Sequence, residues 1–415
     1  MQLLPGFRDF YPENCARKNY ILSVWREVAG RYGFVEYDGP VLESIDLYRK
    51  KSGGELVGQL FDFIDKGERH VALRPEMTPT LARMVAVRER DYKKPLKWFC
   101  APSFFRYEKQ QRGRLREFLQ LNCDILGDAS SGADAELIAL VIDLLRGFGF
   151  GAGDFVVRLS DRDAWAGFAR SRGVSDDRLL DFLAVVDKLE RTPDAESRKR
   201  LLEFGIELEA VRAFIADPSA EATKLQVILA DLKARGMEDY VEVDLTIVRG
   251  LAYYTGLVFE VFDKGCKERA LAGGGRYDKL LEVMSDGKVQ MAALGFGMGD
   301  VVLANLINDV PSANARLKEW LDARRAAEIY VIVAQEDLRQ EALSVVQKLR
   351  DAGYRTDYAI SGAKVGKQFQ SAELLGARFA VVVGAEWPQL KVKELETREE
   401  RLVDAADLLR VVQRK

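Results

Sequence analysis

The stretch Phe104–Gly127, FFRYEKQQRGRLREFLQLNCDILG, constrains this chain more than any other. It reads as two extended runs joined by a short, very basic turn. Arg106 precedes the turn, and Lys109, Arg112, Arg114 and Arg116 crowd it, with Glu108 the only acid among them. Phe118, Gln120, Asn122 and Asp124 then alternate with Leu119, Leu121, Cys123 and Ile125. The two-residue period of a strand puts the polar set on one face and the apolar set on the other. The expected result is a buried sheet with polar groups on one face and a fork of guanidiniums at its tip. Arginine suits triphosphate because its planar donors bind oxygens in pairs and its charge does not titrate away. A solvated, charged hairpin is the plainer reading. A surface hairpin, however, does not need a polar face running deep into an otherwise apolar strand.

Bulk properties narrow the class. A chain of 415 residues predicts two or three domains. Hydrophobic residues at 48% supply ample core, and a net charge of −3 leaves no global basic field, so any nucleic-acid contact must be local. The four cysteines, Cys15, Cys100, Cys123 and Cys266, form no CxxC pair, which argues against a disulfide framework or structural zinc. The single histidine, His70, disfavours histidine triads and histidine-rich metal sites. No run of about 18 apolar residues predicts a membrane span, and the N-terminus has no signal-peptide pattern. A cytoplasmic protein is expected, or an organellar one after processing.

Along the chain, apolar spacing predicts a helix over Cys15–Tyr32 and strands over Phe34–Tyr37, 69–74 and 97–107. A helix opens near Thr78-Pro79, another covers Ala133–Arg146, and Asp154–Leu159 is a strand. From 162 to 238 strand signals give way to charge-laced helical patterns, which reads as an all-helical insertion. Strands are expected again at Val241–Val248, Leu257–Phe262 and Arg269–Ala272. Gly273–Tyr277 is expected to be a tight turn leading into a helix through Met284, followed by a strand Ala292–Gly297 and a helix Gly299–Asn308. The division predicted is 1–161 with 239–310 as one core, 162–238 as the insertion, 311–326 as a linker, and 327–415 as a small α/β domain of alternating strands and helices.

Three further constellations matter. In Leu73–Thr78, LRPEMT, the carboxylate of Glu76 at a strand end can hold an ammonium group, although Glu and Thr are also ordinary at a helix start. In Ile247–Phe259, IVRGLAYYTGLVF, adjacent Tyr253 and Tyr254 must point to different sides of an extended segment, so that one packs and the other lines a site. A plain hairpin with aromatic packing is the alternative. The glycine clusters Gly273–Gly275 and Gly295–Gly299 fit neither a Walker A nor a dinucleotide spacing, and read as places where backbone approaches a ligand or another strand.

Together these pieces resemble the histidyl-tRNA synthetases of class II, over essentially the whole chain. GFRDFYPE is similar to the family's opening, and YGFVEYDGPVLE to class II motif 1, whose helix, strand and proline (Pro40 here) form a dimer interface. FRYEKQQRGRLREFLQ is similar to motif 2, and IVRGLAYYTGLVFE to a signature of histidyl enzymes. The resemblance implies an α+β class II catalytic domain, with an antiparallel sheet flanked by helices, and a C-terminal anticodon-binding-like domain. It implies ATP-dependent ligation of L-histidine to histidine tRNA by a homodimer. ATP enters with Mg2+, and no tightly bound cofactor, protein metal ligand or membrane partner is expected. By resemblance, Arg106 contacts the α-phosphate and the substrate carboxylate, Glu108 meets the adenine, Phe118 stacks on it, and Arg114 reaches the β- and γ-phosphates. Glu76 and Thr78 bind the α-amino group, Gln120 helps hold the histidine, and Asp124 accepts from its imidazole with Tyr253 or Tyr254 opposite. Arg249 is the catalytic arginine, and Gln111 and Arg112 contact tRNA.

The chain also departs from the family pattern. Motif 3 ends in Gly299-Asp300-Val301-Val302, so Val302 stands where the arginine that clamps the γ-phosphate is expected. Arg276 is the predicted substitute, with Arg112 behind it; a structural pairing of Arg276 with a carboxylate such as Asp278 is the plainer alternative. Ala252 and Met77 replace an acid and a glycine that are frequent in the family. A branch resembling plant organellar enzymes shares the Gly-Asp ending and the Arg-Gly-Leu-Ala-Tyr-Tyr form. Two other functional classes are weighed: a non-catalytic paralogue of the type that regulates ATP phosphoribosyltransferase, and a tRNA-binding protein without chemistry. The C-terminal domain and the retained arginines count against the first. The second has no need of a histidine pocket.

Overall fold

The computed structural model describes residues 2–51, 57–109, 111, 113–217, 223–248, 253–265 and 267–413. They divide into two compact units, Met1–Leu317 and Lys318–Lys415.

The first unit opens with α1 (Pro12–Arg31), whose stripe Tyr20, Ile21, Val24, Trp25 and Val28 is buried. Short strands follow: β1 (Val35–Glu36), β2 (Leu42–Ser44), β3 (Asp62–Ile64) and β4 (His70–Leu73). β2, β4 and β3 make a small antiparallel sheet in which His70 Nε2 lies 2.6 Å from Asp62 Oδ2. Helix α2 (Thr78–Arg88) leads to β5 (Leu96–Cys100), β6 (Ser103–Phe105) and β7 (Glu117–Leu126). The run 97–107, expected as one strand, is broken at Ala101-Pro102, because proline has no N–H to give the ladder. β6 and β7 pair antiparallel, Phe104 opposite Phe118, across the basic turn.

Helix α3 (Ser131–Phe148) is capped by the Ser130 hydroxyl, which accepts from the Ala133 N–H, and ends on Gly149 at φ 101°. It ties to the sheet through Lys97 Nζ–Glu136 at 2.7 Å and Arg276 Nε–Asp134 at 2.8 Å. The main sheet is completed by β8 (Phe155–Asp161), β9 (Val241–Val243), β10 (Thr255–Asp263), β11 (Ala272–Arg276) and β12 (Ala293–Gly299). Among the described residues its order is β1-β5-β7-β12-β11-β10-β8-β9, with β6 also on β7. Its centre is antiparallel, and only β1 with β5 and β8 with β9 run parallel.

From Arg162 to Tyr240, the regular elements among the described residues are helical. They build their own aromatic cluster: Phe214 lies 4.9 Å from Trp165 and 4.5 Å from Phe168, ring centre to ring centre. Trp165 Nε1 donates to Leu245 O at 2.9 Å, which ties the cluster to the segment after β9. The strand expected over Val241–Val248 stops at Val243. There the Asp244 carboxylate accepts from both the N–H and the hydroxyl of Thr246 and turns the chain.

One expectation is corrected. Gly273–Tyr277 is no turn: Ala272–Arg276 is β11, in mid-sheet between β10 and β12, and the expected strand Arg269–Ala272 is largely loop. Glycine is needed because the neighbouring backbone is so close. A β-carbon on Gly274 would collide with the Gly295 carbonyl oxygen and lie 2.6 Å from Phe296 Cβ. The expected linker 311–326 contains the helix Pro311–Asp322, with proline at its tolerated first position and Ala313 and Leu317 buried.

The second unit has a five-stranded sheet: Thr356–Tyr358, Ile329–Val333 and Phe379–Val383 parallel, then Gln389–Glu394 and Glu400–Asp404 antiparallel. Gln368, on the helix Val365–Leu374, donates to the carbonyls of Val333 and Ala363 and accepts from the Val333 N–H, so this buried amide is satisfied.

Gly274→Ala is expected to destabilise the first unit by about 1–3 kcal/mol or more, the usual cost of overpacking. A lowered thermal midpoint would register it; an unchanged midpoint would mean that β11 and β12 can separate without cost.

Candidate active site

β7 sets the geometry. Leu119, Leu121, Cys123 and Ile125 are buried on one face, while Phe118, Gln120, Asn122 and Asp124 line a cavity of about 660 Å³ on the other. Six residue steps along the strand lead from Phe118 to Asp124, an axis of about 20 Å. The floor beside this stripe carries no side chains. Gly295 and Gly297 pair with Asp124 and Asn122, and Gly299 with Gln120; Gly273 and Gly275 on β11 continue the same face. A β-carbon on Gly295 would collide with Asp124 Oδ1, and one on Gly297 with Gln120 Nε2. The glycines therefore let the polar side chains of β7 lie across their neighbour.

At the inner end, Asp124 is 2% exposed and accepts from the Tyr277 hydroxyl at 2.5 Å. Burial pushes the Tyr277 phenol well above its ordinary range and the charge of Asp124 adds to this, so the phenol stays a donor and holds the carboxylate in orientation. Tyr253 and Tyr254 both line the cavity, with ring centres 4.7 Å apart. The expectation that they point to opposite sides fails because both precede β10, which begins at Thr255, and strand alternation does not apply there. Glu76 and Thr78, at the entry to α2, also line the cavity.

Toward the basic turn, Arg106 Nε donates to Pro75 O at 2.9 Å, and its guanidinium carbon lies 5.3 Å from the Phe118 ring centre. Arg114 Nη1 pairs with Glu108 Oε2 at 2.7 Å. All four of these predicted residues, Arg106, Phe118, Arg114 and Glu108, line the cavity. Gln111 lies in the turn, bridged to Arg114. Arg249 and Arg112 lie outside the described residues.

Arg276 does not line the cavity. Gly273, Gly275 and Tyr277 alternate onto the cavity face, so Arg276 falls on the opposite face, toward α3. It pairs there with Asp134 at 2.8 Å, lies 3.5 Å from Asp278, and donates to Asp128 O and Ser130 O. Nor does it start a helix; it ends β11. Burial pushes the Asp134 carboxyl up to about 6, against the pull of Arg276. The expected phosphate ligand is thus a buried structural cation.

Several cavity residues were not anticipated. Asp300, at the start of the helix Asp300–Asp309, accepts the Leu119 N–H at 2.9 Å and pairs with Arg8 Nη2 at 2.8 Å. Burial raises its carboxyl and Arg8 draws it back down. Arg191, from the helical region, and Arg269, from the β10–β11 connection, also reach the lining. Tyr277 could have been suspected from its odd spacing after Gly273 and Gly275. Arg8, Arg191 and Arg269 carry no local signal, since only the folded chain brings them to β7.

Comparison with known proteins is consistent across the chain. Residues 6–303 match the family described as Histidyl-tRNA synthetase, and residues 328–415 match the Anticodon binding domain. A histidine–tRNA ligase of Opitutus terrae is 40% identical over 424 residues, covering 96% of this chain and 95% of that protein. The chloroplastic/mitochondrial histidine–tRNA ligase of Arabidopsis thaliana is 36% identical over 422 residues, covering 97% of this chain and 85% of that protein. The crystal structure of histidyl-tRNA synthetase from Nostoc sp. PCC 7120 shares the fold, with a TM-score of 0.77 over 99% of this chain and 98% of its own at 23% identity. The chain belongs to the histidyl-tRNA synthetase family.

Proposed function

We infer that this chain is a histidine–tRNA ligase whose chemistry takes place in the cavity along β7. The observation that carries the reading is one polar strand face bearing a buried, oriented carboxylate (Asp124) at one end and arginines at the other, about 20 Å apart. That length accommodates an amino acid and a nucleotide end to end. The histidine carboxylate attacks the α-phosphorus of ATP, pyrophosphate leaves, and the 3′-terminal ribose hydroxyl of histidine tRNA then takes the histidyl group from the adenylate.

Individual roles follow from placement and from the family resemblance. Asp124, held by Tyr277, accepts from the imidazole N–H beside Tyr253 and Tyr254. Glu76, with Thr78, meets the α-ammonium, and Gln120 meets the substrate carboxyl end. Arg106 lies over Phe118, where the α-phosphate and adenine come together; Phe118 stacks and Glu108 reads the adenine edge. Arg114 turns from Glu108 to the outer phosphates. Arg249 is assigned to the α-phosphate, where negative charge grows in the transition state. Magnesium arrives with ATP, held chiefly through the phosphates; the described residues contain no group of three or more His, Cys, Asp or Glu side chains placed to hold a metal. Gln111 and Arg112 are assigned to the tRNA acceptor end, and 327–415 to the anticodon. The division into 1–161 with 239–310, the insertion 162–238 and a connecting 311–326 belongs to the same reading, as does a cytoplasmic location. No helix among the described residues is long and apolar enough to cross a membrane.

A homodimer fits the apolar side chains left open around motif 1: Val35, Val41, Phe63 and Ile64 are all exposed, on or beside short strands. A two-fold interface is self-complementary, so one such patch is sufficient. Sedimentation at micromolar concentration is expected to show a dimer, and an active monomer would remove this part of the reading.

Histidine-dependent exchange of pyrophosphate into ATP tests the activity, and its absence would leave a non-catalytic paralogue. Asp124→Ala is expected to raise the KM for histidine far more than that for ATP. A site built to hydrogen-bond its substrate discriminates by up to about 10⁴-fold; equal effects on both substrates would make Asp124 merely structural. Arg249→Ala is expected to lower kcat by about 10²–10³-fold with little change in KM. An unchanged adenylation rate would move that role to another residue.

A further inference from the structure

Arg114 can bring one cation to the outer phosphates of ATP, but the second, which the motif 3 arginine would bring, is absent. Val302 occupies the expected position of the motif 3 arginine, and Arg276 is committed to Asp134 behind the sheet. Of the other cavity arginines, Arg114 starts paired with Glu108 and is the cation already assigned to the outer phosphates, and Arg106 is anchored on Pro75 O beside Phe118. Asp300, next to Val302, is matched by Arg8. Two lining guanidiniums remain that form no ion pair with any described residue: Arg191 and Arg269.

Arg269 is the one beside the vacated position. A β-carbon built on Gly113, in the motif 2 turn, would lie 3.2 Å from Val302 Cγ2 and 4.0 Å from Arg269 Cδ. The Arg269 stem, the Val302 side chain and the turn that carries Arg114 therefore converge at the outer end of the β7 axis, opposite Asp124.

The backbone that presents Arg269 is fixed although its side chain is exposed. The carboxylate of Asp263, 3% exposed at the end of β10, accepts the N–H groups of Lys267 and Glu268 at 3.0 and 3.2 Å. On the far side, the Leu271 N–H donates to Val261 O at 2.7 Å. Asn305 Nδ2 donates to Glu268 Oε1 at 3.3 Å, which ties the connection to the helix that carries Val302. Arg269 thus stands on a short loop pinned at both sides, with a free planar fork directed at the cavity. That combination suits a polyanion: the donors are pre-placed, and no internal salt bridge must break before the ligand binds.

We propose that Arg269 binds the terminal phosphates of ATP and so does, from the β10–β11 connection, the work of the absent motif 3 arginine. Val302 and the Arg269 stem both border Gly113, so the Arg269 guanidinium needs only to extend along the cavity wall to stand in for the absent arginine. The proposal rests on the reading of this cavity as an ATP site.

The test compares wild type with Arg269→Ala, Arg269→Lys and Arg191→Ala in histidine-dependent pyrophosphate exchange, and measures AMP affinity by inhibition of that exchange. Arg269→Ala is expected to raise the KM for ATP by about 10- to 100-fold, the usual worth of hydrogen bonds to a charged group. The KM for histidine and the affinity for AMP, which lacks the outer phosphates, are expected to stay at wild-type values. Arg269→Lys is expected to recover part of the loss, through charge without the fork. An unchanged KM for ATP in Arg269→Ala would overturn the proposal, as would an equal loss of AMP affinity or the same loss appearing in Arg191→Ala instead. Absence of exchange in the wild type would instead be a failure of the ATP-site reading itself.

Discussion

The pairing of β7 with β12 is the constraint on which the rest depends. A strand in mid-sheet normally has side-chain neighbours on both flanks. Here, one flank of the polar face is stripped to glycine at Gly295, Gly297 and Gly299. The side chains of Asp124 and Gln120 lean into that space, which a single methyl group would close. Glycine in a strand costs conformational entropy and contributes no packing. The sheet recovers that cost on its other face, where Leu119, Leu121, Cys123, Ile125, Leu294, Phe296 and Met298 are buried. The same strands are thus greasy on one side and bare or polar on the other, and the cavity is a consequence of that asymmetry.

Charge placement follows the same division. On the face toward α3, Arg276 and Asp134 are both nearly buried and form an ion pair, with two carbonyls accepting from the guanidinium. Removing one member of such a pair would strand the other. On the cavity face, the pairing of Arg114 with Glu108 is nearer to solvent and exchangeable. A triphosphate can take over Arg114 without breaking the sheet, whereas it could not extract Arg276. Asp300 serves a different purpose. By accepting the Leu119 N–H and pairing with Arg8, it fastens the N-terminal segment and the motif 3 helix to the start of β7.

Much of this was legible before any coordinates. The alternation in Phe118–Ile125 identified the polar face of β7, because a strand's period depends only on local backbone geometry. The basic turn, the helical character after Arg162 and the alternating strands and helices of the C-terminal part followed from equally local patterns. Where local rules compete, the tertiary structure decides. The glycines of Gly273–Gly275 looked like a turn, since glycine is the commonest turn residue, yet tertiary pairing makes them a central strand. Tyr253 and Tyr254 were assigned opposite directions by a strand rule that does not reach them.

What the sequence alone determined, then, is which residues share a strand face and which chemistry they bring: a carboxylate, an amide and an aromatic ring in line, with guanidiniums at the end. What only the tertiary structure decided is which side of the sheet each cation faces and which distant segments meet the cavity. Arg276 and Arg269 lie seven positions apart and look equally available in sequence. Strand register turns the first into the core against Asp134, and the Asp263-pinned loop turns the second toward the cavity. Register and loop closure are set by long-range pairing of backbones, and a single chain read residue by residue does not contain those distances.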